Sequence, residues 1–291
     1  MDDDGYGGTL RRDDALTGTV AHRRPRRLTE LALLAVMYGA YNLSRNGVPT
    51  AVAQAERNGA DLLRLEGSMG MDIERGLNQA VLRFPALVVG ANYYYATLHF
   101  IVTAAVLVWL FRRRPAAYTR HRRVLLIMTM LALVGYWLYP VAPPRLMPGG
   151  DFVDTLRAFG TWGAKPGDAV VSASNQYAAM PSMHVGWALW AGATIARQAT
   201  VRALRVAGAC YPFLTVLVVV LTANHYLLDA VAAVVLFVAA MIMSSALDRP
   251  LAHLPDVLSQ VLPGPLGRVL RRDPAPAGTV VTVDQVEPAE G

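Results

Sequence analysis

The chain has 291 residues, of which 54% are hydrophobic, and its mean hydropathy of +0.33 indicates a membrane protein rather than a soluble one. Its single cysteine excludes a disulfide framework and a thiolate metal cluster. The formal net charge of +6 comes with arginines concentrated in short blocks beside apolar runs, so we interpret it as a topology signal rather than a nucleic-acid surface.

The chain begins with a basic segment followed by a short apolar run. Residues 1–27 are rich in Asp, Gly and Arg and have no apolar period, which predicts a disordered cytoplasmic N-terminus. A first membrane span is predicted over residues 28–43, and the basic block 23–27 before it places the N-terminus inside. The stretch 51–53 resembles a signal-peptidase site, so cleavage after this span stays an open alternative.

The segment from about 50 to 85 mixes charged and apolar residues. Within it, Ile73, Leu77, Val81 and Phe84 recur at helical spacing. We therefore predict amphipathic helices that lie on the extracytoplasmic surface of the membrane.

Five further apolar runs follow. They cover residues 92–111, 124–139, 185–196, 206–222 and 226–246. With the first run they predict an all-α, polytopic domain of six transmembrane helices over residues 28–247, in the plasma membrane. This order places every arginine-dense short loop and both termini on the cytoplasmic side. The Pro-rich residues 248–291 are predicted to be a mostly disordered cytoplasmic tail.

Polar residues at the ends of these runs are the candidates for chemistry. His225 and Asp229 are four residues apart near a predicted helix start at Asn224, so a carboxylate can hold one imidazole nitrogen and leave the other free as a nucleophile. His184 is predicted to lie on the same side of the membrane, where it can protonate a leaving alcohol and then activate an acceptor. Backbone N–H groups at the two helix starts can bind a phosphate, and Arg145 can add a bidentate contact. This arrangement requires no metal ion.

Each of these residues also has a simpler interpretation. His225 with Asp229 is compatible with a buried polar pair that holds helices together, and the same pair with His184 is compatible with a zinc site. Arg145 is compatible with a snorkelling side chain at the lipid headgroups. For His99, packing and a role in the site are equally open.

Three stretches resemble a known family, the type 2 phosphatidic acid phosphatase (PAP2) superfamily. Residues 181–184, Pro-Ser-Met-His, resemble its second signature, and residues 225–229, with His first and Asp last, resemble its third. Residues 139–144, Tyr-Pro-Val-Ala-Pro-Pro, are similar to the stretch that replaces the first signature in the fungal inositol phosphorylceramide synthase group and its bacterial relatives. The likeness covers roughly residues 66–246.

The resemblance implies a six-span enzyme with an extracytoplasmic site and phosphoester chemistry. The implied catalytic residues are His225, His184 and Asp229, and the candidate substrate-binding residues are Arg145, Ser182 and Tyr139. The chain departs from the family's lipid phosphatases at Met183 and at Val219, where they carry a glycine and an arginine, and it lacks the Lys-x6-Arg-Pro signature. Phosphate binding is therefore expected to depend on Arg145 and on backbone N–H groups.

The sequence thus predicts an integral-membrane phosphoesterase or phosphotransferase that acts on a lipid phosphate or phospho-headgroup through a phosphohistidine intermediate. Water as the acceptor gives a strict phosphatase of polyprenyl or diacylglycerol phosphate, whereas a second alcohol gives transfer, for example of a phosphoinositol group between lipids. A non-catalytic transporter or scaffold is the alternative from another class, and it has no need of two histidines at matched depth. The predicted partners are a membrane lipid and the bilayer, with no nucleic acid, no cofactor and no metal, and the oligomeric state is left open.

Overall fold

The computed structural model describes residues 52–149, 151–161 and 176–261, together with several positions between 28 and 40. Only the backbone is described after residue 247. This part of the chain is helical without strands, and a single isolated parallel bridge within it joins Val141 to Ala178. The predicted disordered segment 1–27 and residues 262–291 of the predicted disordered tail lie outside the described residues, whereas residues 248–261 of that tail are helical.

The chain divides into two compact units, residues 1–244 and 245–291. The helices with defined ends are α1 (Val52–Ser68), α2 (Glu74–Val81), α3 (Pro85–Tyr93), α4 (His99–Arg113), α5 (Pro115–Leu138), α6 (Thr155–Ala158), α7 (Met183–Gln198), α8 (Arg202–Leu221) and α9 (Leu227–Val261). A π-helical segment, Tyr94–Leu98, joins α3 to α4, and a short 3-10 turn covers Pro144–Leu146.

Four helical stretches among the described residues are long and apolar enough to cross a membrane. They are Pro85–Arg113, Pro115–Leu138, Arg202–Leu221 and Leu227–Leu247. Helix α7 has 16 residues, fewer than the ~17–25 that a spanning helix usually needs, and much of the predicted first span lies outside the described residues. The membrane-protein class is supported, and the number of six spans stays a prediction.

The second predicted span starts earlier than the sequence pattern indicated. Its helix begins at Pro85 rather than at residue 92 and runs through the π-helical segment to Arg113. Proline at the first helical position explains this start, because its ring presets the backbone angle and it has no N–H group to leave unpaired.

Helices α1 and α2 occupy the predicted amphipathic segment, but α2 turns its polar side inward. The buried residues of α2 are Glu74, Asn78 and Val81. The side chains of Ile73 and Phe84, which belong to the predicted apolar stripe, are 53% and 61% exposed. Asn78 Nδ2 donates to the carbonyl oxygen of Leu221 at 2.9 Å, so the polar face is stabilised by backbone partners inside the protein.

Helices α7 and α8 pack with their backbones in close contact. A Cβ atom at Gly192 would lie 2.4 Å from the carbonyl oxygen of Gly208, and one at Gly208 would lie 2.9 Å from Ile195 Cβ. Small residues permit this approach in helix pairs. Elsewhere on α7 the buried Trp190 donates its indole N–H to the carbonyl oxygen of His121 at 2.8 Å. Helix α7 is thereby fixed between α5 and α8.

The Pro-rich loop that follows α5 packs against α1. Asn58 Nδ2 on α1 donates to the carbonyl oxygen of Pro140 at 2.8 Å. A Cβ atom at Gly59 would lie 2.9 Å from both the carbonyl oxygen of Ala142 and the hydroxyl oxygen of Tyr226. Only a glycine fits between these two groups, so α1, the loop and the residues just before α9 are in direct contact.

Candidate active site

A tight turn between α8 and α9 carries His225. Ala223 has φ of 54°, in the left-handed region that few non-glycine residues adopt. The predicted cap at Asn224 is wrong, because α9 begins at Leu227 and the Asn224 carbonyl oxygen Oδ1 accepts a hydrogen bond from Arg145 Nε at 2.8 Å. Competition from this guanidinium explains why the asparagine does not cap the helix.

Three buried carboxylates accept the backbone N–H groups at the start of α9 instead. The pairs are Asp229 Oδ2 with Tyr226 at 3.0 Å, Glu74 Oε1 with Leu227 at 3.0 Å, and Glu66 Oε1 with Leu228 at 2.7 Å. These N–H groups were expected to be free for a phosphate. At this helix start they are already bonded and cannot bind one.

The imidazole of His225 is held at one nitrogen only. Its Nδ1 lies 2.9 Å from the carbonyl oxygen of Ala179 and 3.1 Å from Asp229 Oδ2. Because both neighbours are acceptors, the hydrogen-bond network assigns the proton to Nδ1. The other nitrogen, Nε2, is buried and has no hydrogen-bond partner among the described residues. This is the geometry of a neutral imidazole with a free lone pair.

The structure brings His184 next to this imidazole. Ser182 caps α7, since its hydroxyl oxygen accepts the N–H of Val185 at 3.4 Å. The N–H of Ser182 donates to the main-chain oxygen of Asp229 at 3.1 Å, which joins the two helix starts. The ring centres of His184 and His225 are 5.5 Å apart. The three predicted catalytic residues therefore lie in one cluster.

The start of α7 keeps its first N–H groups free. In the part of the chain that the structure describes, no group accepts a hydrogen bond from the backbone N–H of Met183 or His184. Unpaired N–H groups and the positive end of the helix dipole favour an anion at such a position. Of the two predicted phosphate-binding helix starts, only that of α7 has this property.

Two aromatic rings that sequence reasoning did not assign to the site pack over the histidine pair. Tyr95, in the π-helical segment, stacks on His184 with ring centres 4.1 Å apart, and its ring centre is 6.3 Å from that of His225. The His99 ring centre lies 4.0 Å from that of His184. Such π-helical turns are frequent at functional sites. The sequence signal was available, because Tyr95 and His99 have the same four-residue spacing as His225 and Asp229.

Arg145 is anchored beside the residue that precedes His225. Its Nε donates to Asn224 Oδ1 at 2.8 Å, one terminal nitrogen lies 3.2 Å from Asp154 Oδ2, and its backbone N–H donates to Ala223 at 2.9 Å. The second terminal nitrogen has no partner among the described side chains and carbonyls. The side chain is 11% exposed, so a guanidinium N–H pair is held in place near the histidines.

The two other predicted substrate-binding residues are placed differently. Ser182 is fully buried, and its hydroxyl oxygen is used in the cap of α7. Tyr139 follows the last residue of α5 and is 40% exposed. Within the described ranges it makes no ring contact or hydrogen bond with either histidine. Their roles in substrate binding stay predictions.

The zinc interpretation of the cluster finds no matching arrangement. Among the described residues, no group of three or more His, Cys, Asp or Glu side chains is placed to hold a metal ion. Nδ1 of His225 is engaged by Ala179 and Asp229, as an oriented nucleophile would be.

An apolar cavity of about 560 Å³ opens between α7, α8 and α9. Val185, which follows His184, and Leu227, which follows the turn that carries His225, both line this cavity. The cavity also reaches Arg197 at the far end of α7. A concave apolar surface of this kind accommodates the hydrocarbon part of a ligand.

Comparison with known proteins identifies one family. Residues 60–243, more than half of the chain, match the family model described as PAP2 superfamily. No curated protein and no solved structure matches the chain. The matched range contains the histidine pair, Asp229, Arg145 and the two buried glutamates of α1 and α2.

Proposed function

Because the chain belongs to the PAP2 superfamily, we propose that it is an integral-membrane phosphoesterase or phosphotransferase that acts on a lipid phosphate or a phospho-headgroup. The observation that supports this most directly is the state of His225, whose Nδ1 lies between two acceptors while Nε2 has no partner among the described residues. A neutral imidazole with a free, oriented lone pair is a competent nucleophile toward phosphorus.

In the first step Nε2 of His225 attacks the phosphorus atom, and the bond from phosphorus to the lipid or headgroup oxygen breaks. His184, in its protonated form, donates its proton to that leaving oxygen. The product is a phosphohistidine whose ring carries a positive charge, because Nδ1 keeps its proton. Asp229 stabilises this charge through its contact with Nδ1 at 3.1 Å.

In the second step the neutral His184 accepts a proton from water or from a second alcohol. The oxygen that loses this proton attacks the phosphorus atom, and the bond from phosphorus to Nε2 of His225 breaks. Both histidines return to their starting states, so protons and electrons balance over the cycle. The chain's own residues carry every proton, and the proposed reaction uses no metal ion.

We assign phosphate binding to the start of α7 and to Arg145. The N–H groups of Met183 and His184 lack acceptors among the described residues, and the Arg145 side chain keeps one terminal nitrogen without a described partner. Ser182 contributes by ordering the first turn of α7, and Tyr139 is proposed to contact the substrate from the exposed end of α5.

The proposed substrate is a lipid, and the apolar cavity supports this because chain neighbours of His184 and of the turn that carries His225 line it. Val185 and Leu227 line it, so a phosphate at the histidine pair can have its hydrocarbon chain between α7, α8 and α9. Burial of each methylene group is worth about 0.8 kcal/mol, which favours long-chain phosphates over water-soluble ones.

Within the superfamily, we favour transfer to a second alcohol over simple hydrolysis. The stretch 139–144 resembles the inositol phosphorylceramide synthase group, and Nε2 of His225 is buried, with the Tyr95 ring centre 6.3 Å from that of His225. A site that excludes water gives a bound alcohol time to react with the phosphohistidine. Strict hydrolysis of a polyprenyl or diacylglycerol phosphate is the alternative.

The proposed location is the plasma membrane, with the histidine pair on the extracytoplasmic side and both termini in the cytoplasm. The arginine-rich positions 112–114, 120–123 and 197–205 support this orientation, because positively charged loops stay on the cytoplasmic side.

The test uses detergent-purified wild-type protein beside the variant His225→Ala. Polyprenyl, diacylglycerol and phosphoinositol lipid phosphates are supplied in EDTA, with and without a lipid alcohol. We expect turnover that falls by at least about 10⁴-fold in the variant. A new phospholipid that forms only with the alcohol identifies the transferase, and phosphate release alone identifies the phosphatase.

A phosphoryl group trapped on wild-type protein and absent from His225→Ala, found by mass spectrometry after a rapid acid-free quench, tests the intermediate directly. Equal turnover in both proteins contradicts the proposal. Activity that EDTA abolishes contradicts the metal-independent mechanism.

A further inference from the structure

Two buried glutamates from different helices hold the start of α9. Glu66 on α1 and Glu74 on α2 are 0% and 1% exposed. Glu66 Oε1 accepts the N–H of Leu228 at 2.7 Å, and Glu74 Oε1 accepts the N–H of Leu227 at 3.0 Å. Both bonds reach the first turn of the helix that carries Asp229, so α1 and α2 fix the segment on which the proposed chemistry depends.

These glutamates are too close to each other for both to be ionised at low cost. The side chain of Glu74 lies within hydrogen-bonding reach of Glu66, and the other titratable groups that face Glu66 are Asp229 and Tyr226. Two carboxylates in one buried site favour a state in which they share a proton. Glu66 Oε2 is buried and has no hydrogen-bond partner among the described residues, so no described donor stabilises a negative charge on it.

The electrostatic environment of Glu66 agrees with this geometry. Burial, together with the neighbouring carboxyl groups of Glu74 and Asp229, raises the pKa of Glu66 to about 8, although the bond from the Leu228 N–H acts against the rise. The raised pKa of Glu66 favours a proton on this pair of carboxyl groups at neutral pH.

We propose that Glu66 and Glu74 share one proton and act as positioning residues for His225. The shared proton lets both carboxyl groups approach the first turn of α9. This first helical turn then holds Asp229 against Nδ1 of His225. The positioning role of the two glutamates in catalysis rests on the proposed function. The geometry of the pair, however, is independent of the substrate.

The pair predicts how the rate depends on pH. Above about 8 the shared proton is lost, two negative charges face each other, and kcat of the wild-type protein is expected to fall tenfold per pH unit. Glu66→Gln keeps an oxygen for the Leu228 N–H and has a permanent N–H in place of the proton. Its kcat is therefore expected to stay level above pH 8.

The matched variants separate positioning from folding. Glu66→Ala removes the contact, and we expect kcat to fall about 100-fold with little change in KM, because the loss concerns alignment of the nucleophile. Asp72→Asn, which neutralises an exposed carboxylate between α1 and α2, is expected to keep the wild-type pH profile.

A second readout does not depend on activity. Between the ordinary pKa of 4.5 and about 8, folded Glu66 binds more protons than the unfolded chain does, so the free energy of unfolding falls as the pH rises through this range. Thermal unfolding in detergent should show this decline for wild type and Asp72→Asn, and a smaller decline for Glu66→Gln. This comparison remains informative if Glu66→Ala does not fold.

The outcomes of the two inferences can be told apart. If wild-type turnover does not depend on His225, the proposed function fails, and the unfolding data still test the proton-sharing pair. If turnover depends on His225 but Glu66→Gln loses rate and stability at the same pH as wild type, the proposed role of the glutamates is overturned.

Discussion

At the start of α7, two backbone N–H groups have no acceptor among the described residues, whereas at the start of α9 three N–H groups are bonded to carboxylates. Each helix start carries one histidine of the pair. A free helix start attracts an anion, and one lined with carboxylates repels it. This difference supports the proposal that phosphate binds on the α7 side, while the α9 side orients His225.

This division explains how a negatively charged substrate can approach a site that contains three buried acids. Glu66, Glu74 and Asp229 all face the first turn of α9. Of the available donors, the N–H groups of Met183 and His184 lie at the start of α7, and the Arg145 side chain is anchored to Asn224, just before His225. The following variants test each half of the comparison.

Asp229→Asn should have the largest effect of these variants. The amide oxygen can still accept the N–H of Tyr226, so the helix start is kept, but the amide is uncharged and cannot stabilise a positive ring on His225. We expect kcat to fall about 10³- to 10⁴-fold. Steady-state kinetics on the best lipid phosphate measures this loss, and a decrease below tenfold contradicts the role assigned to the carboxylate.

His184→Gln tests the other helix start. Without a group that can protonate the leaving oxygen, kcat for an alkyl lipid phosphate should fall about 10²- to 10³-fold. An aryl phosphate such as p-nitrophenyl phosphate needs no such proton for its leaving group, so the rate of its first turnover, which precedes the step in which His184 acts as base, should fall much less. Equal losses on both substrates show that His184 does not act as the general acid.

Arg145→Gln should weaken substrate binding. Loss of a charge-assisted hydrogen bond to phosphate is expected to raise KM about 10- to 100-fold, with a smaller change in kcat. The matched control is Arg157→Gln, since Arg157 is exposed on α6 in the same loop region. If both variants change KM equally, Arg145 has no specific contact with the phosphate.

Ser182→Ala should have the smallest effect on the rate. It removes the cap of α7 and is expected to lower the free energy of unfolding by about 1 kcal/mol. Ser182→Thr keeps the hydroxyl group and serves as the control. Thermal unfolding of the three proteins measures the difference, and a large rise in KM without loss of stability instead indicates direct contact with the substrate.

Local spacing was sufficient to predict the contact between His225 and Asp229 and the start of α7, and the catalytic role of these residues stays a prediction. The four-residue separation of His225 and Asp229 brings their side chains together wherever a helix starts nearby, and Pro181-Ser182 is a cap pattern that fixes the start of α7. The resemblance to the PAP2 superfamily is confirmed by the family match. The inositol phosphorylceramide synthase branch stays a prediction.

The surroundings of this centre could not be predicted from local patterns. Glu66 and Glu74 contact residues 162 and 153 positions away in the chain, and nothing near them indicates a buried acid. Only part of the apolar stripe predicted for α2 packs inside: Val81 is buried, Ile73 and Phe84 are exposed, and Asn78 and Glu74 find backbone partners in the protein instead. Asn224 failed as a cap because Arg145, 79 residues away, binds its side chain.

The two histidines are kept at their distance by main-chain atoms. The N–H of Ser182 donates to the backbone oxygen of Asp229, and the backbone oxygen of Ala179 accepts from His225 Nδ1. A side-chain replacement at 179 or 182, other than proline at 182, leaves these bonds possible. Side chains around the two histidines can therefore be changed to alter substrate preference. The distance between the two histidines, on which the proposed phosphoryl transfer depends, is fixed by backbone hydrogen bonds.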